Sequence, residues 1–326
     1  MAWTDSFGRK IDYVRLSVTD KCNLRCFYCM PERHRSFITP SHYLTFDEIE
    51  RVVAAFSDLG VSRIRVTGGE PMVRKGLPDL ISRLSAIPGI RDMSMSTNAM
   101  LLGKMAETIY KAGISRLNVS LDTLNESRFR EISRGGKLED VLSGLVSAKQ
   151  AGFEPIKINM LVMKGINDDE VIDLASFCIA NGFALRFIET MPMGASGQEA
   201  YGHYLDLSVI RDQLAERFDL VPSVMAGGGP ARYFRVNGTE THIGFITPLS
   251  QHFCATCNRV RMSADGTLHL CLGNSHNMAL RPHLRDGISD SGLRDLLIEA
   301  LAMKPWQHNF EDQPDHVARS MATTGG

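Results

Sequence analysis

The chain has 326 residues, 44% of them apolar and 22% charged, a globular balance that excludes collagenous and disordered readings and leaves room for about two domains of roughly 150 residues each. Thirty-six Lys and Arg against 37 Asp and Glu leave a net charge of -1, so no global basic field gathers nucleic acid or anionic lipid, and any bound anion must be held locally. No apolar run approaches the ~18 residues of a membrane span and residues 1–10 lack a signal-peptide pattern, so a cytoplasmic protein with no nucleic-acid or membrane partner is expected.

Six short segments read as strands: Val14 to Thr19, Arg63 to Thr67, Asp92 to Asn98, Arg116 to Asp122, Pro155 to Val162 and Ala184 to Ile188. Helical periodicity separates them. Thr45 and Glu48 carry a capping-box pattern after the first strand, and Asn167 stands three residues before Glu170 after the fifth. Gly60, Gly113, Gly152 and Gly182 follow helical stretches, where a left-handed cap is expected. Strand alternating with helix six times predicts an α/β chain with a parallel sheet, open or curled into a partial barrel.

Parallel strands covered on both sides should be apolar on both faces. These are apolar on one face only, as in Val14, Leu16 and Val18 or Leu117, Val119 and Leu121. The other face carries Arg15, Ser17, Thr19; Arg65, Thr67; Ser94, Ser96, Asn98; Asn118, Ser120, Asp122; Lys157, Asn159; and Arg186. Such a polar row would be costly in a filled core, so it predicts a cavity that holds a polar, anionic ligand. A sheet with one solvated face is the alternative.

After about residue 200 the pattern changes. A helix near 208–218 and the loop Gly227-Gly228-Gly229-Pro230 lead to hairpins at Asn237-Gly238 and Asp265-Gly266, both two-residue turn signals. A last helix near 291–303 precedes a polar tail ending Gly325-Gly326. Residues 1–200 and 201–326 therefore read as a main unit and a small α+β appendage.

Seven cysteines form two triplets, at 22, 26, 29 and at 254, 257, 271, with Cys178 left over on an apolar helix as a core residue. That clustering argues for metal binding rather than disulfides. The first triplet directly follows the first strand, at the end of a parallel barrel where active sites sit. Three thiolates can ligate three irons of a four-iron cluster and leave the fourth open; a zinc site completed by His34 fits the same spacing. The second triplet brackets a hairpin, and from its residues alone a zinc ribbon completed by His252 or His269 is as good as a cluster. Arg259 and Arg261 follow Cys257 at strand spacing, a clamp suited to phosphate. No Walker loop occurs, so a triphosphate would be held by separate cations.

Cys22-x3-Cys26-x2-Cys29 with Tyr28, followed by Gly68-Gly69-Glu70-Pro71, resembles the radical S-adenosylmethionine (SAM) superfamily. Joined to Arg15-Leu-Ser-Val-Thr-Asp-x-Cys22-Asn and Cys254-x2-Cys257-Asn-Arg259-x-Arg261 with Cys271, it resembles the GTP 3',8-cyclase family of molybdenum-cofactor biosynthesis from about Phe7 to Leu272. The resemblance implies a partial (β/α)6 TIM-type barrel with a C-terminal α+β appendage. It implies two 4Fe-4S clusters, on Cys22, Cys26 and Cys29 and on Cys254, Cys257 and Cys271. SAM would be chelated by the open iron of the first cluster and contacted by Tyr28, Gly68, Gly69, Glu70, Ser120 and Met191. GTP would meet Arg15, Arg65, Ser96, Lys157, Arg186, Arg259, Val260 and Arg261. The catalytic set would be Cys22, Cys26, Cys29, Arg259 and Arg261, converting GTP to 3',8-cyclo-7,8-dihydroguanosine 5'-triphosphate through an adenosyl radical. A reducing electron donor, a downstream cyclic pyranopterin monophosphate synthase and a homodimer are the implied partners. A peptide-modifying maturase with an auxiliary cluster is the rival, against which the Arg259-x-Arg261 pair and the single auxiliary triplet count.

Two departures from the family pattern carry expectations of their own. Ala99 stands where the family usually has Gly, so the turn there is expected to differ. The tail Met321-Ala-Thr-Thr lacks the family's bulky residues, so Gly325 and Gly326 are expected at a frayed end.

Overall fold

The computed structural model describes residues 3–310 and 319–325. Twelve strands, β1 (Tyr13–Ser17), β2 (Arg63–Thr67), β3 (Asp92–Thr97), β4 (Arg116–Ser120), β5 (Ile156–Leu161), β6 (Ala184–Ile188), β7 (Leu220–Ser223), β8 (Arg232–Val236), β9 (His242–Ile246), β10 (Arg259–Met262), β11 (Thr267–His269) and β12 (Asn277–Ala279), form one sheet. Their order is β12-β11-β10-β1-β2-β3-β4-β5-β6-β9-β8-β7. All six strands read from the first 200 residues are present, each within two residues of its expected ends.

Helices alternate with β1–β6, and β1 through β6 pair in parallel in chain order. This is the α/β partial barrel expected. The sheet continues where sequence gave no guide: β10 adds in parallel to β1, and β9 in parallel to β6. The hairpins thus lie at both flanks of the barrel. They are looser than their turn dipeptides suggested, with five residues (237–241) between β8 and β9 and four (263–266) between β10 and β11. Gly238 and Gly266 supply the positive φ, at 76° and 80°.

The apolar rows of β1–β6, including Leu16, Val66, Met95, Val119, Ile158 and Phe187, are buried against the helices. Helix Phe46–Asp58 returns Ile49, Val52, Val53 and Phe56 to that layer, each such side chain contributing about 1.5–3 kcal/mol. Its capping box forms in full, with Glu48 N donating to Thr45 Oγ1 at 3.1 Å and Thr45 N to Glu48 Oε2 at 2.7 Å. Gly60, Gly113, Gly152 and Gly182 all take positive φ after their helices.

Asn167 does something other than cap a helix. It is fully buried, accepts from Met163 N at 2.8 Å and donates to the carbonyls of Asp122 and Leu161, both at 2.9 Å. Glu170 takes Thr123 Oγ1 at 2.6 Å and Leu124 N at 2.7 Å. Both side chains lock the exits of β4 and β5, whose backbone groups leave the ladder inside the protein and need partners there. Asn167→Ala is expected to cost about 2–4 kcal/mol in urea unfolding, because it orphans three buried backbone groups.

Ala99 also departs from expectation. It adopts φ 63° itself, so the left-handed turn is kept without glycine at about 1–2 kcal/mol. Its amide donates to Thr97 Oγ1 at 2.9 Å and its methyl is buried, which offsets the strain.

Register assembles the polar row. Arg15 lies between Arg261 and Arg65; Arg65 pairs with Ser94; Ser96, Asn118 and Lys157 are neighbours, as are Ser120, Asn159 and Arg186.

Candidate active site

Two cavities occupy the polar side of the sheet. One, of about 320 Å³, sits at the strands' C-terminal mouth and is lined by both cysteine triplets. The other, of about 490 Å³, lies toward the strands' N-terminal ends beneath residues 222–234. Arg65 and Arg186 line both, so the two adjoin.

At the mouth, the loop carrying Cys22, Cys26 and Cys29 rests on the loop after β2. Gly69 N donates to Thr19 O at 2.8 Å and Glu70 N to Lys21 O at 2.9 Å. A Cβ on Gly68 would lie 2.5 Å from Thr19 O, and one on Gly69 2.4 Å from Lys21 O. The glycines are required first by this backbone packing, which brings them to the cavity wall. Tyr28 donates its hydroxyl to Asp122 Oδ2 at 2.7 Å, and Leu161 N donates to Oδ1 at 2.8 Å. Burial raises Asp122 to about 6 despite those two bonds. Ser96, Ser120, Met191 and Val260 line the same cavity.

Glu70 follows the two glycines of this loop and is fully buried. Its buried carboxylate accepts from Met72 N at 3.1 Å, Asn98 N at 2.8 Å and Thr97 Oγ1 at 3.0 Å. Burial lifts it to about 7, against the pull of those hydrogen bonds. It braces the Gly68-Gly69 loop to the exit of β3. Glu189, at the end of β6, is braced similarly by Leu249 N at 2.9 Å and Ser250.

The first three thiols are all pushed upward: Cys22 to about 11 by burial and Glu70, Cys29 to about 12 by burial and Cys22, and Cys26 well above its ordinary value by burial, Cys29, Asp122 and Cys22. Three mutually close thiols in a field this unfavourable to thiolate are suited to a ligand that brings its own positive charge. Among the described residues no three Cys, His, Asp or Glu side chains are grouped to hold a single metal ion. His34, the possible fourth zinc ligand, instead packs edge-on against Phe37 at 4.9 Å. An all-sulfur donor set suits an iron–sulfur cluster.

The second triplet comes from the turn Cys254–Thr256, the residue before Asn258 and β10, and the second residue after β11. Burial raises Cys254 and Cys271. Cys257 falls below its ordinary value: burial opposes this, but Lys304, Arg259 and Arg9 outweigh it.

Between the triplets and the deeper cavity lies a nest of cations. Burial, then Arg261 and Arg65, hold Arg15 well below the usual guanidinium range. Arg261 falls to about 9 through burial and Arg259, and Arg186 to about 10 chiefly through burial. Arg186 Nε donates to Asn159 Oδ1 at 2.8 Å and its Nη2 to Asn118 Oδ1. Arg65 and Arg259 lie over the Tyr13 ring at 5.4 and 5.8 Å. Lys157 lines the deeper cavity, its Nζ 3.4 Å from Ala226 O. Burial, then Arg186, Arg116 and Arg65, bring it down to about 7.

That depression makes a pH prediction. With Lys157 lowered to about 7, the site without substrate is expected to lose that proton as pH rises past about 7, and an anion bound beside it to restore one. Polyphosphate binding at pH 8 is therefore expected to take up a proton, read by calorimetry in buffers of different ionisation enthalpy, and Lys157→Arg should abolish the uptake.

The tail does not fray. Arg319 Nη2 donates to the carbonyls of Cys271, Leu272 and Asn274 at 2.8, 2.6 and 2.6 Å. Met321 and Ala322 then line the mouth, and Gly325 O accepts from Arg261 Nη1. A Cβ on Gly325, at φ 73°, would come within 2.1 Å of Thr67, so only glycine fits there. Gly326 lies outside the described residues.

Several wall residues escaped the sequence reading. Arg63 and Arg116 stand two residues before Arg65 and Asn118, so the same alternation extended one step would have found them. Asn98 Nδ2, 3.7 Å from Cys22 Sγ, was on the row but had no assigned role. Arg232, Lys304 and Arg319 reach the cavities or the second triplet by tertiary folding alone.

Known proteins agree with this architecture. Residues 16–178 match the family described as "Radical SAM superfamily", and residues 183–310 match "Molybdenum Cofactor Synthesis C". The chain is 44% identical to the GTP 3',8-cyclase of Hydrogenovibrio crunogenus, with 100% of both chains covered. It is 47% identical to GTP 3',8-cyclase 1 of Pseudomonas aeruginosa, with 99% of both covered. Its fold is similar to that of Streptococcus suis SuiB bound to S-adenosylmethionine, with a TM-score of 0.60 at 16% identity over 87% of this chain and 68% of that one. A chain this similar from end to end to such relatives belongs to the GTP 3',8-cyclase family, radical SAM enzymes of molybdenum-cofactor biosynthesis.

Proposed function

We propose that SAM and the ribose of GTP meet in the mouth cavity, while the GTP triphosphate extends into the deeper cationic cavity. The observation that carries this reading is the adjacency of two unlike cavities, sulfur-lined and cation-lined, through Arg65 and Arg186. Cys22, Cys26 and Cys29 would hold one 4Fe-4S cluster, and Cys254, Cys257 and Cys271 a second. When bound, the first cluster and SAM together supply the 5'-deoxyadenosyl radical that takes the C3' hydrogen of GTP and commits it to joining C3' to C8.

The chain's own residues do the rest. Lys157 in the deeper cavity, Arg65 and Arg186 where the cavities adjoin, and Arg15, Arg259 and Arg261 on the mouth side meet the triphosphate, whose negative charge offsets the burial and then the repulsion that depress Arg15, Lys157, Arg186 and Arg261. They bind the reactant before and during the reaction alike, so they contribute mainly to affinity. Tyr28, fixed by Asp122, and Gly68, Gly69, Ser120 and Met191 shape the SAM side of the mouth. Holding both reactants in one orientation is worth up to roughly 7–11 kcal/mol of the barrier. The tail segment Met321–Gly325 and the loop over the deeper cavity keep water from the reacting carbon.

Residues 1–200 act as the radical SAM partial barrel and 201–326 as the unit that brings the second cluster and the tail. The enzyme works in the cytoplasm as a homodimer, takes electrons from a reducing donor and passes its product to cyclic pyranopterin monophosphate synthase. The test is anaerobic reconstitution with iron and sulfide, then reduction with SAM and GTP. About eight irons per chain and 5'-deoxyadenosine formation that depends on GTP are expected. Equal 5'-deoxyadenosine formation without GTP would refute the substrate assignment.

A further inference from the structure

Lys304 follows helix Asp290–Ala302 and buries its ammonium beside the second cysteine triplet, with 3% of the residue exposed. Its Nζ donates to Arg259 O at 3.2 Å and to Leu270 O. One ammonium therefore joins the start of β10, two residues after Cys257, to the residue preceding Cys271. Two carbonyls take two of its three N–H donors and carry no formal charge, and no carboxylate pairs with it among the described residues. A buried ammonium in that state is strongly unfavourable unless an anion sits within reach.

The groups within reach are thiols. The ammonium's carbonyl partners stand two residues after Cys257 and one before Cys271, and Lys304 lines the same mouth cavity as Cys254, Cys257 and Cys271. Arg9 and Arg319 back it by donating to the carbonyls of Cys254 and Cys271, at 2.8 Å in each case. The first triplet has carboxylates beside it instead: Asp122 accepts from Tyr28, the neighbour of Cys29, and Glu70 from Asn98 N, whose side-chain Nδ2 lies 3.7 Å from Cys22 Sγ.

We propose that Lys304 is the counter-ion of the cluster on Cys254, Cys257 and Cys271, a positioning residue that raises that cluster's reduction potential and holds its two ligand segments together. The inference rests on the two-cluster reading above. A four-iron cluster with three thiolates carries one net negative charge when oxidised and two when reduced. A fixed cation in a low-dielectric wall stabilises the doubly charged form more, so the one-electron couple moves to higher potential. The electron comes from the external reductant, and no bond forms or breaks in the couple.

The test uses the full chain, reconstituted anaerobically, with Lys304→Gln, Lys304→Met and Lys304→Arg. Iron per chain and an EPR-monitored redox titration of each cluster are the readouts. Glutamine keeps hydrogen-bond donors and removes the charge. The second cluster's potential is expected to become more negative in the Gln and Met variants, to stay near wild type in Arg, and the first cluster's potential not to move. Iron lost from the second site in Gln and Met but kept in Arg supports the same role. An unmoved potential in Gln, or iron lost equally in all three variants, overturns it, since bridging or packing would then suffice. Wild-type protein with about four irons would sink the two-cluster reading itself, whereas about eight irons with unmoved potentials would sink the Lys304 role alone.

Discussion

A Cys26→Ser variant is expected to form no 5'-deoxyadenosine above background, a fall of at least ~10³-fold in a reaction whose catalysis exceeds that factor. The loss should be chemical rather than structural. The loop around residue 26 is held by its backbone: Arg25 N and Phe27 N both donate at 3.1 Å to the carbonyls of Ser133 and Ile132, and Cys29 N returns to Cys26 O at 2.9 Å. Serine leaves these bonds intact and removes one thiolate, the usual ligand of such clusters. Chromatography of the nucleoside product after anaerobic reduction checks it, alongside thermal unfolding to show the fold survives. Cys254→Ser should behave differently, retaining reductive SAM cleavage while yielding no cyclised nucleotide. Matching losses in both variants would mean that the triplets do not divide the work.

Arg15→Met should weaken GTP binding by roughly 10- to 100-fold while the melting temperature holds or rises. A hydrogen bond to a charged group is worth about 1.5–3 kcal/mol, and 1.4 kcal/mol is tenfold. In the protein without substrate, Arg15 sits between Arg65 and Arg261 and is pushed below its usual range by burial and then by both of them. Removing it therefore relieves its repulsion with Arg65 and Arg261, which a bound triphosphate would offset. Because the lost contact is made equally in bound substrate and activated complex, KM should rise far more than kcat falls. Calorimetry on GTP and a thermal melt give the two numbers; a variant that loses stability along with affinity would reassign Arg15 to the core.

Much of this site was legible in the chain because its signals are local or periodic. The alternation of Arg65 with Thr67 or Asn118 with Ser120 shows the polar wall directly, since strand geometry alone decides which side chains share a face. The capping box at Thr45 and the glycines after four helices are equally local. What could not be read depends on where distant segments arrive. Glu70 stands next to two cavity glycines in sequence, yet its carboxylate turns toward the β3 exit, because Thr97 and Asn98 offer bonds there. Ala99 accepts a glycine's conformation because its surroundings hold it. The tail looked free and is fastened by Arg319 to three carbonyls some 45–48 positions earlier.

The flanking strands bear on how the polypeptide acquires this shape. β1 has its outer neighbour β10 about 246 positions later in the chain, and β6 waits for β9. Until those late segments arrive, the nascent sheet presents two raw edges, the state most prone to sticking to other chains. A fragment ending near residue 200 would keep both edges permanently bare, so expressed alone it should aggregate.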